Sequence, residues 1–198
     1  MIKQCHEQCM VQPKTNLILN STQMTMETGK EEIITVHEWR RIDPDDRSII
    51  ERYILDLPVR LGALANELGV KVRLSSLPAN CSGFIHRVQG LYEIKINRHE
   101  SREDQRFTLA HEIAHYLLHR DIIDDSEDGI RDDVLYRSGE TDAVEYEANK
   151  LAADLVTPIA LVKERLNQFQ NTISEDMIEF VAKEFEVSKA AMKIRVSA

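Results

Sequence analysis

Residues 106–119 form an apolar run, RFTLAHEIAHYLLH, that contains no glycine or proline and therefore predicts a helix. On a helix, His111 and His115 lie about 40° apart around the axis and roughly 6 Å apart along it, so both imidazoles can reach one metal ion. Glu112 lies beside the first histidine, where its carboxylate can act on water without binding the metal. This H-E-x-x-H pattern is typical of zinc-dependent peptidases; the alternative is two surface histidines beside a glutamate.

Composition and charge argue against several other classes of function. The chain has 198 residues, of which 42% are hydrophobic and 30% charged, as is usual for a globular protein. A net charge of -9 and a pI near 5.3 argue against a general affinity for nucleic acid or anionic membranes. We expect no membrane span and no signal peptide. Three cysteines, Cys5, Cys9 and Cys81, are too few and odd in number for a disulfide framework, so a cytoplasmic location is expected.

The chain is predicted to divide into a flexible leader, residues 1–35, and a single peptidase-like domain, residues 36–198. The leader lacks periodicity and mixes polar residues with methionines. Its Cys5-His6-Glu7-Gln8-Cys9 stretch could hold a metal, but it has no matching second pair of ligands, so a plain flexible tail is favoured.

The order of the predicted elements indicates an α+β fold, with a helical scaffold and a small, mainly antiparallel three-stranded sheet next to the active-site helix. Ordered structure should begin with a helix capped by Asp43. Alternating apolar residues predict strands over 70–74, 84–88 and 92–96, with a turn at Gln89-Gly90. We also expect an unpaired strand edge beside the helix, where a peptide substrate could add a strand.

Two later segments each have a structural and a functional interpretation. The acidic stretch 121–139 is predicted to be a surface loop; the alternatives are a mobile lid or an acidic patch that selects basic substrates. Residues 174–196 predict two helices that are similar to part of a helix-turn-helix. Their charge is nearly balanced, so packing is favoured over DNA contact, and we expect no direct binding of nucleic acid.

A catalytic zinc ion needs a third protein ligand. His119 is excluded, because it lies eight residues, or about 12 Å, along the helix from His111. The next helix, Thr141 to Val156, offers Glu145 and Glu147, which point about 200° apart, so at most one of them faces the metal. Glu145 is favoured, with Asn149 one turn later expected to orient a ligating histidine.

Three stretches, YEIKIN, RFTLAHEIAHYLLH and EYEANKLAADLVTP, resemble the ImmA/IrrE family of metallopeptidases. The resemblance implies a gluzincin-like zinc enzyme in which His111, His115 and Glu145 bind the metal and Glu112 is the catalytic base. It further implies a protein substrate, often a helix-turn-helix repressor or an antitoxin, that is cut in a stress response or a toxin-antitoxin pair.

Several points stay open at the level of sequence. The same ligands also bind manganese, cobalt or nickel. A metal-binding regulatory module that acts on a repressor without cutting it is the alternative function, although the intact Glu112 argues against it. The residue that stabilises the oxyanion is not identified, and the candidates are Tyr116, Tyr136, Tyr146 and His86.

Overall fold

The computed structural model describes residues 36–126, 130–133, 139–169 and 173–197, and side chains throughout these ranges except at 36, 130–133 and 139–142. The predicted leader, with its Cys5–Cys9 stretch, lies outside the described residues. The division into leader and domain therefore remains a prediction.

Helices account for most of the described chain, and the active-site helix is central among them. The helices are α1 (Val36–Arg41), α2 (Pro44–Tyr53), α3 (Leu61–Glu67), α4 (Arg102–Leu118), α5 (Arg120–Asp125), α6 (Gly139–Val156), α7 (Ile159–Asn167), α8 (Glu175–Glu184) and α9 (Lys189–Ser197). As predicted, Asp43 caps α2, and its side chain accepts a hydrogen bond from the backbone N–H of Asp45 at 2.9 Å.

The α+β class is confirmed, and the sheet has one strand more than predicted. Its strands are β1 (Val70–Ser75), β2 (Cys81–Val88), β3 (Leu91–Asn97) and β4 (Ile130–Asp133), in the order β1-β3-β2-β4. The β2–β3 and β2–β4 pairs are antiparallel, whereas β1 pairs with β3 in parallel. The hairpin between β2 and β3 turns at Gln89 and Gly90, both with positive φ. Because β3 pairs with β2 on one side and with β1 on the other, it lies between them.

The stretch 121–139 was predicted to be a surface loop; residues 121–125, 130–133 and 139 instead lie in regular secondary structure, although most of 121–125 is exposed. The first part lies in α5, where Ile123 is fully buried, and the Asp124 carboxylate accepts a hydrogen bond from Tyr92 at 2.8 Å. The second part is β4, which pairs with the outer edge of β2. Helix α4 packs against the inner strands β2 and β3, and β1 and β4 are the edges of the described sheet. Addition of a peptide strand to one of these edges stays a prediction.

Helix α4 is buried between the sheet and α6. Its N-cap is Ser101, whose hydroxyl accepts a hydrogen bond from the backbone N–H of Asp104 at 3.1 Å. Acidic residues in its first turn interact favourably with the positive end of the helix dipole. From Thr108 to Leu117 every residue except Leu109 is buried. The helix is therefore covered on nearly all sides, and its polar residues are held in fixed surroundings.

The two C-terminal helices, α8 and α9, form a small apolar cluster together with α7. Its buried members are Val162, Val181, Ala182, Phe185 and Met192. On the surface, Lys189 and Lys193 of α9 lie within 3.2 Å and 2.7 Å of the Glu175 carboxylate. These contacts agree with the packing role predicted for the tail. Among the described residues, no helix combines the length and the apolar content needed to cross a bilayer.

Candidate metal centre

Two helices bring three potential ligands together. His111 and His115 lie one turn apart in the buried middle of α4, with exposed fractions of 3% and 0%. Their Nε2 atoms are 2.9 Å apart. Glu145 reaches them from α6, with Oε2 lying 3.1 Å from His111 Nε2 and Oε1 3.5 Å from His115 Nε2. Of the two candidate glutamates, the structure thus brings Glu145 to the histidine pair.

The geometry of these three residues fits a metal ion. One ligand atom from each lies within 4.8 Å of the others. Ligands about 2.0–2.1 Å from a tetrahedral zinc ion are roughly 3.3 Å apart, close to the separations of 2.9, 3.1 and 3.5 Å here. Two imidazoles and one carboxylate are also the donor set of catalytic zinc sites that keep a position open for water or substrate.

The surroundings of His115 and Glu145 keep these two donors in the protonation states that a metal requires. Burial lowers the pKa of His115 to about 4, although the contact with Glu145 opposes this shift, so its imidazole is neutral at pH 7. Burial acts to raise the pKa of Glu145, but its contacts with His111 and His115 outweigh burial and hold the pKa well below the usual range. A neutral imidazole and an ionised carboxylate are the forms that bind metal.

Glu112 lies on the side of α4 that faces strand β2. Its side chain is fully buried. Gly83 of β2 makes this packing possible: a Cβ added there would lie 2.5 Å from Thr108 Cγ2 and 3.5 Å from Glu112 Oε1. A glycine inside a strand often marks a close approach, so Gly83 is a signal in the sequence for this contact that the spacing arguments above do not use.

A second group of polar residues lies behind His115. The Nδ1 atoms of His115 and His119 are 3.1 Å apart, and His119 Nε2 lies 3.1 Å from Glu147 Oε2. Arg41 Nη1 of α1 contacts the same carboxylate oxygen at 2.5 Å. His119 is the C-cap of α4 and is 5% exposed, so it packs at the helix end as the sequence indicated.

The expected role of Asn149 is wrong. Asn149 is exposed. The Nδ1 atom of His115 faces His119 instead, while the buried Nδ1 atom of His111 has no hydrogen-bond partner within the part of the chain that the structure describes. The prediction failed because spacing along α6 fixes which face Asn149 occupies but not how α6 is rotated against α4.

The structure narrows the candidates for the oxyanion-stabilising residue. Tyr116 donates its hydroxyl to the carbonyl of Leu68 at 2.9 Å, and its ring packs against Tyr92 of β3. His86 alternates with the buried Gly83 and Ile85 on β2, so it lies on the opposite face of the sheet, 3.4 Å from Glu93. Tyr146 is 64% exposed. Tyr136 lies outside the described residues.

Comparisons with known proteins agree with this site. No curated protein sequence matches the chain at a significant level. A transcriptional regulator from Mycobacterium tuberculosis has a similar fold, with a TM-score of 0.57 over 90% of this chain and 12% sequence identity. The chain spans 51% of that protein. The family model for the IrrE N-terminal-like domain, peptidase family M78, matches residues 65–197, which include both motif helices. The resemblance seen in the sequence is thereby confirmed: the chain belongs to the IrrE N-terminal-like domain family of metallopeptidases.

Proposed function

We propose that the chain is a zinc-dependent metalloendopeptidase of the gluzincin kind that hydrolyses a peptide bond in a protein substrate. His111, His115 and Glu145 would hold the zinc ion, and Glu112 would be the catalytic base. The observation that carries the proposal is the convergence of two buried imidazoles and one ionised carboxylate, from separate helices, within 4.8 Å of one another. Family membership supports the same activity.

The chemistry of each residue follows from its position. When bound, zinc supplies a Lewis acid that polarises the peptide carbonyl and makes water acidic enough to attack near neutral pH. Glu112 accepts a proton from the attacking water as the new C–O bond forms. It then passes this proton to the leaving amine as the C–N bond breaks. Because Glu112 is fully buried in α4, its carboxylate does not have to be reoriented before each proton transfer.

The proposed substrate is a helix-turn-helix transcriptional repressor or an antitoxin, cut in the cytoplasm during a stress response or within a toxin-antitoxin pair. Family resemblance supports this substrate class. Manganese is the alternative metal, because imidazole and carboxylate ligands also bind it.

The test compares the zinc-loaded protein with its Glu112→Gln variant. Each is incubated with the purified repressor or antitoxin encoded by a neighbouring gene, and products are identified by mass spectrometry. Glu112→Gln should retain zinc but cut the substrate about 10²–10⁴-fold more slowly, because the general base is lost. Glu93→Gln is a matched control, since Glu93 contacts His86 on the opposite face of the sheet.

The alternative, a regulatory module that acts by binding alone, gives a different result. Wild type and Glu112→Gln would then inactivate the repressor equally, and no cleavage product would form. Such a result would exclude the peptidase mechanism while leaving the metal site intact.

A further inference from the structure

We propose that His119 is a positioning residue that fixes the orientation of the His115 imidazole through a chain of hydrogen bonds ending at Glu147 and Arg41. This inference rests on the proposed role of His115 as a metal ligand. It adds three residues to the site that neither bind the metal nor touch the substrate.

The proton positions along this chain are determined once His115 binds a metal through Nε2. A neutral imidazole that binds through Nε2 carries its proton on Nδ1. The Nδ1–H of His115 then donates to His119 Nδ1, 3.1 Å away. His119 must in turn carry its proton on Nε2, which donates to Glu147 Oε2 at 3.1 Å. Every donor thus meets an acceptor, and His115 is left with the tautomer that binds metal.

Each member of the chain is held by a different element. His119 lies at the end of α4, where its backbone leaves the helix with φ -131° and ψ 33°. It follows His115 by four residues, so the two side chains are neighbours, and their ring centroids lie 5.2 Å apart. Glu147 comes from α6, and Arg41 from α1 holds the Glu147 carboxylate at 2.5 Å. Glu147 Oε2 therefore has a contact with Arg41 on one side and with His119 Nε2 on the other.

His119 contacts a different nitrogen of His115 from the one that faces the other proposed metal ligands. It lies against Nδ1 of His115, whereas Glu145 and His111 lie against Nε2 of the same ring. The two nitrogens lie on different edges of the imidazole, so His119 contacts His115 from the side away from the other ligands. An outer carboxylate–histidine pair of this kind restricts ring orientation and raises the basicity of the ligating nitrogen.

The experiment measures zinc affinity by competition with a chromogenic chelator and the visible absorption spectrum of the Co²⁺-substituted protein. In His119→Leu the side chain keeps much of its bulk but cannot accept a hydrogen bond. We expect its zinc affinity to fall about 10- to 100-fold and its Co²⁺ bands to change in position or intensity. Glu147→Gln, which keeps the shape but loses the charge, should cause a smaller loss.

Two further variants separate positioning from packing. His119→Asn places an amide oxygen close to the position of Nδ1, so it should recover part of the affinity that His119→Leu loses. His86→Leu is the matched control, because His86 also contacts a glutamate, at 3.4 Å, but on the other face of the sheet. It should leave affinity and spectrum unchanged. Thermal melts without metal show whether each variant is folded.

The outcomes distinguish this inference from the proposed function. If wild type binds zinc and folded His119→Leu matches it in affinity and spectrum, the positioning role is wrong while the zinc site stands. Equal losses in His119→Asn and His119→Leu would likewise overturn the hydrogen-bond chain. If wild type itself binds neither zinc nor Co²⁺, the proposed function fails, and the role of His119 fails with it.

Discussion

The candidate metal centre between α4 and α6, called the centre below, and the α8–α9 pair bury opposite kinds of residue. In the centre, His111, Glu112 and His115 are almost fully inaccessible, although all are polar. In the α8–α9 pair, the buried residues are apolar, such as Phe185, and the charged residues lie at the surface. A buried polar group requires partners in defined directions, whereas a buried apolar group requires only close packing. We therefore expect the buried polar residues of the centre to serve its chemistry, and the buried apolar residues of the α8–α9 pair to stabilise the fold.

This difference predicts that substitutions in the two regions will be detected by different measurements. Losing a polar residue of the centre should alter metal binding or turnover, while losing an apolar residue of the α8–α9 pair should alter the free energy of unfolding. Each variant below tests whether the two properties are as separate as the structure indicates.

The largest effect is expected from Glu145→Ala. It removes the one carboxylate that contacts both histidines, so zinc should be lost, together with all measurable peptidase activity. The loss of affinity should exceed the roughly 10- to 100-fold typical of outer partners. Elemental analysis of the purified variant measures the zinc content. A normal zinc load would transfer the ligand role to Glu147, which lies two residues further along α6.

Phe185→Ala should have the largest effect on stability. Phe185 is fully buried in the apolar cluster of the α8–α9 pair, and truncating a buried phenylalanine costs about 3–5 kcal/mol. Urea denaturation of the zinc-free protein measures the change. Zinc affinity at a temperature where the variant is folded should match wild type. A large fall in affinity would show that the two regions are coupled.

Gly83→Ala should lower both the free energy of unfolding and the turnover, each by less than the two variants above. The added Cβ would lie 2.5 Å from Thr108 Cγ2 and 3.0 Å from the Lys95 carbonyl oxygen, so α4 and β2 must move apart. We expect a loss of about 1–3 kcal/mol from overpacking. Turnover should fall because Glu112 lies against residue 83. Zinc should be retained because His111 and His115 face Glu145 of α6. Gly62→Ala is the control, since nothing lies within 4 Å of a Cβ built there.

The sequence predicted those parts of the site that depend on spacing within one helix. His111, Glu112 and His115 follow from the helical period. The angle between Glu145 and Glu147 shows only that at most one of them faces the histidines, and the preference for Glu145 depended on the expected role of Asn149, which is wrong, and on the family resemblance. The helical period also excluded His119 as a ligand. The four-residue spacing of His115 and His119 was also a signal for their contact, but it could not show that His119 continues to Glu147 on another helix.

The missed features depend on contacts between distant elements. Arg41 reaches Glu147 from α1, a helix of six residues that was not predicted. Strand β4 has the sequence IRDD, which shows no alternation of apolar and polar residues. Its position is set by pairing with β2. Local patterns identify helices and hairpins, but they do not determine which elements pack together across the chain.

The smallest effect is expected from Glu179→Gln on the surface of the α8–α9 pair. Glu179 contacts Lys183 at 3.0 Å and Lys189 at 3.4 Å, but its side chain is 45% exposed, so water and salt screen both pairs. Neither the melting temperature nor zinc affinity should change measurably. Phe185→Ala, measured in parallel, gives the scale of a true packing defect. A fall in melting temperature as large as that of Phe185→Ala would mean that ion pairs hold α9 in place, and the contrast between a polar centre and an apolar pair would not stand.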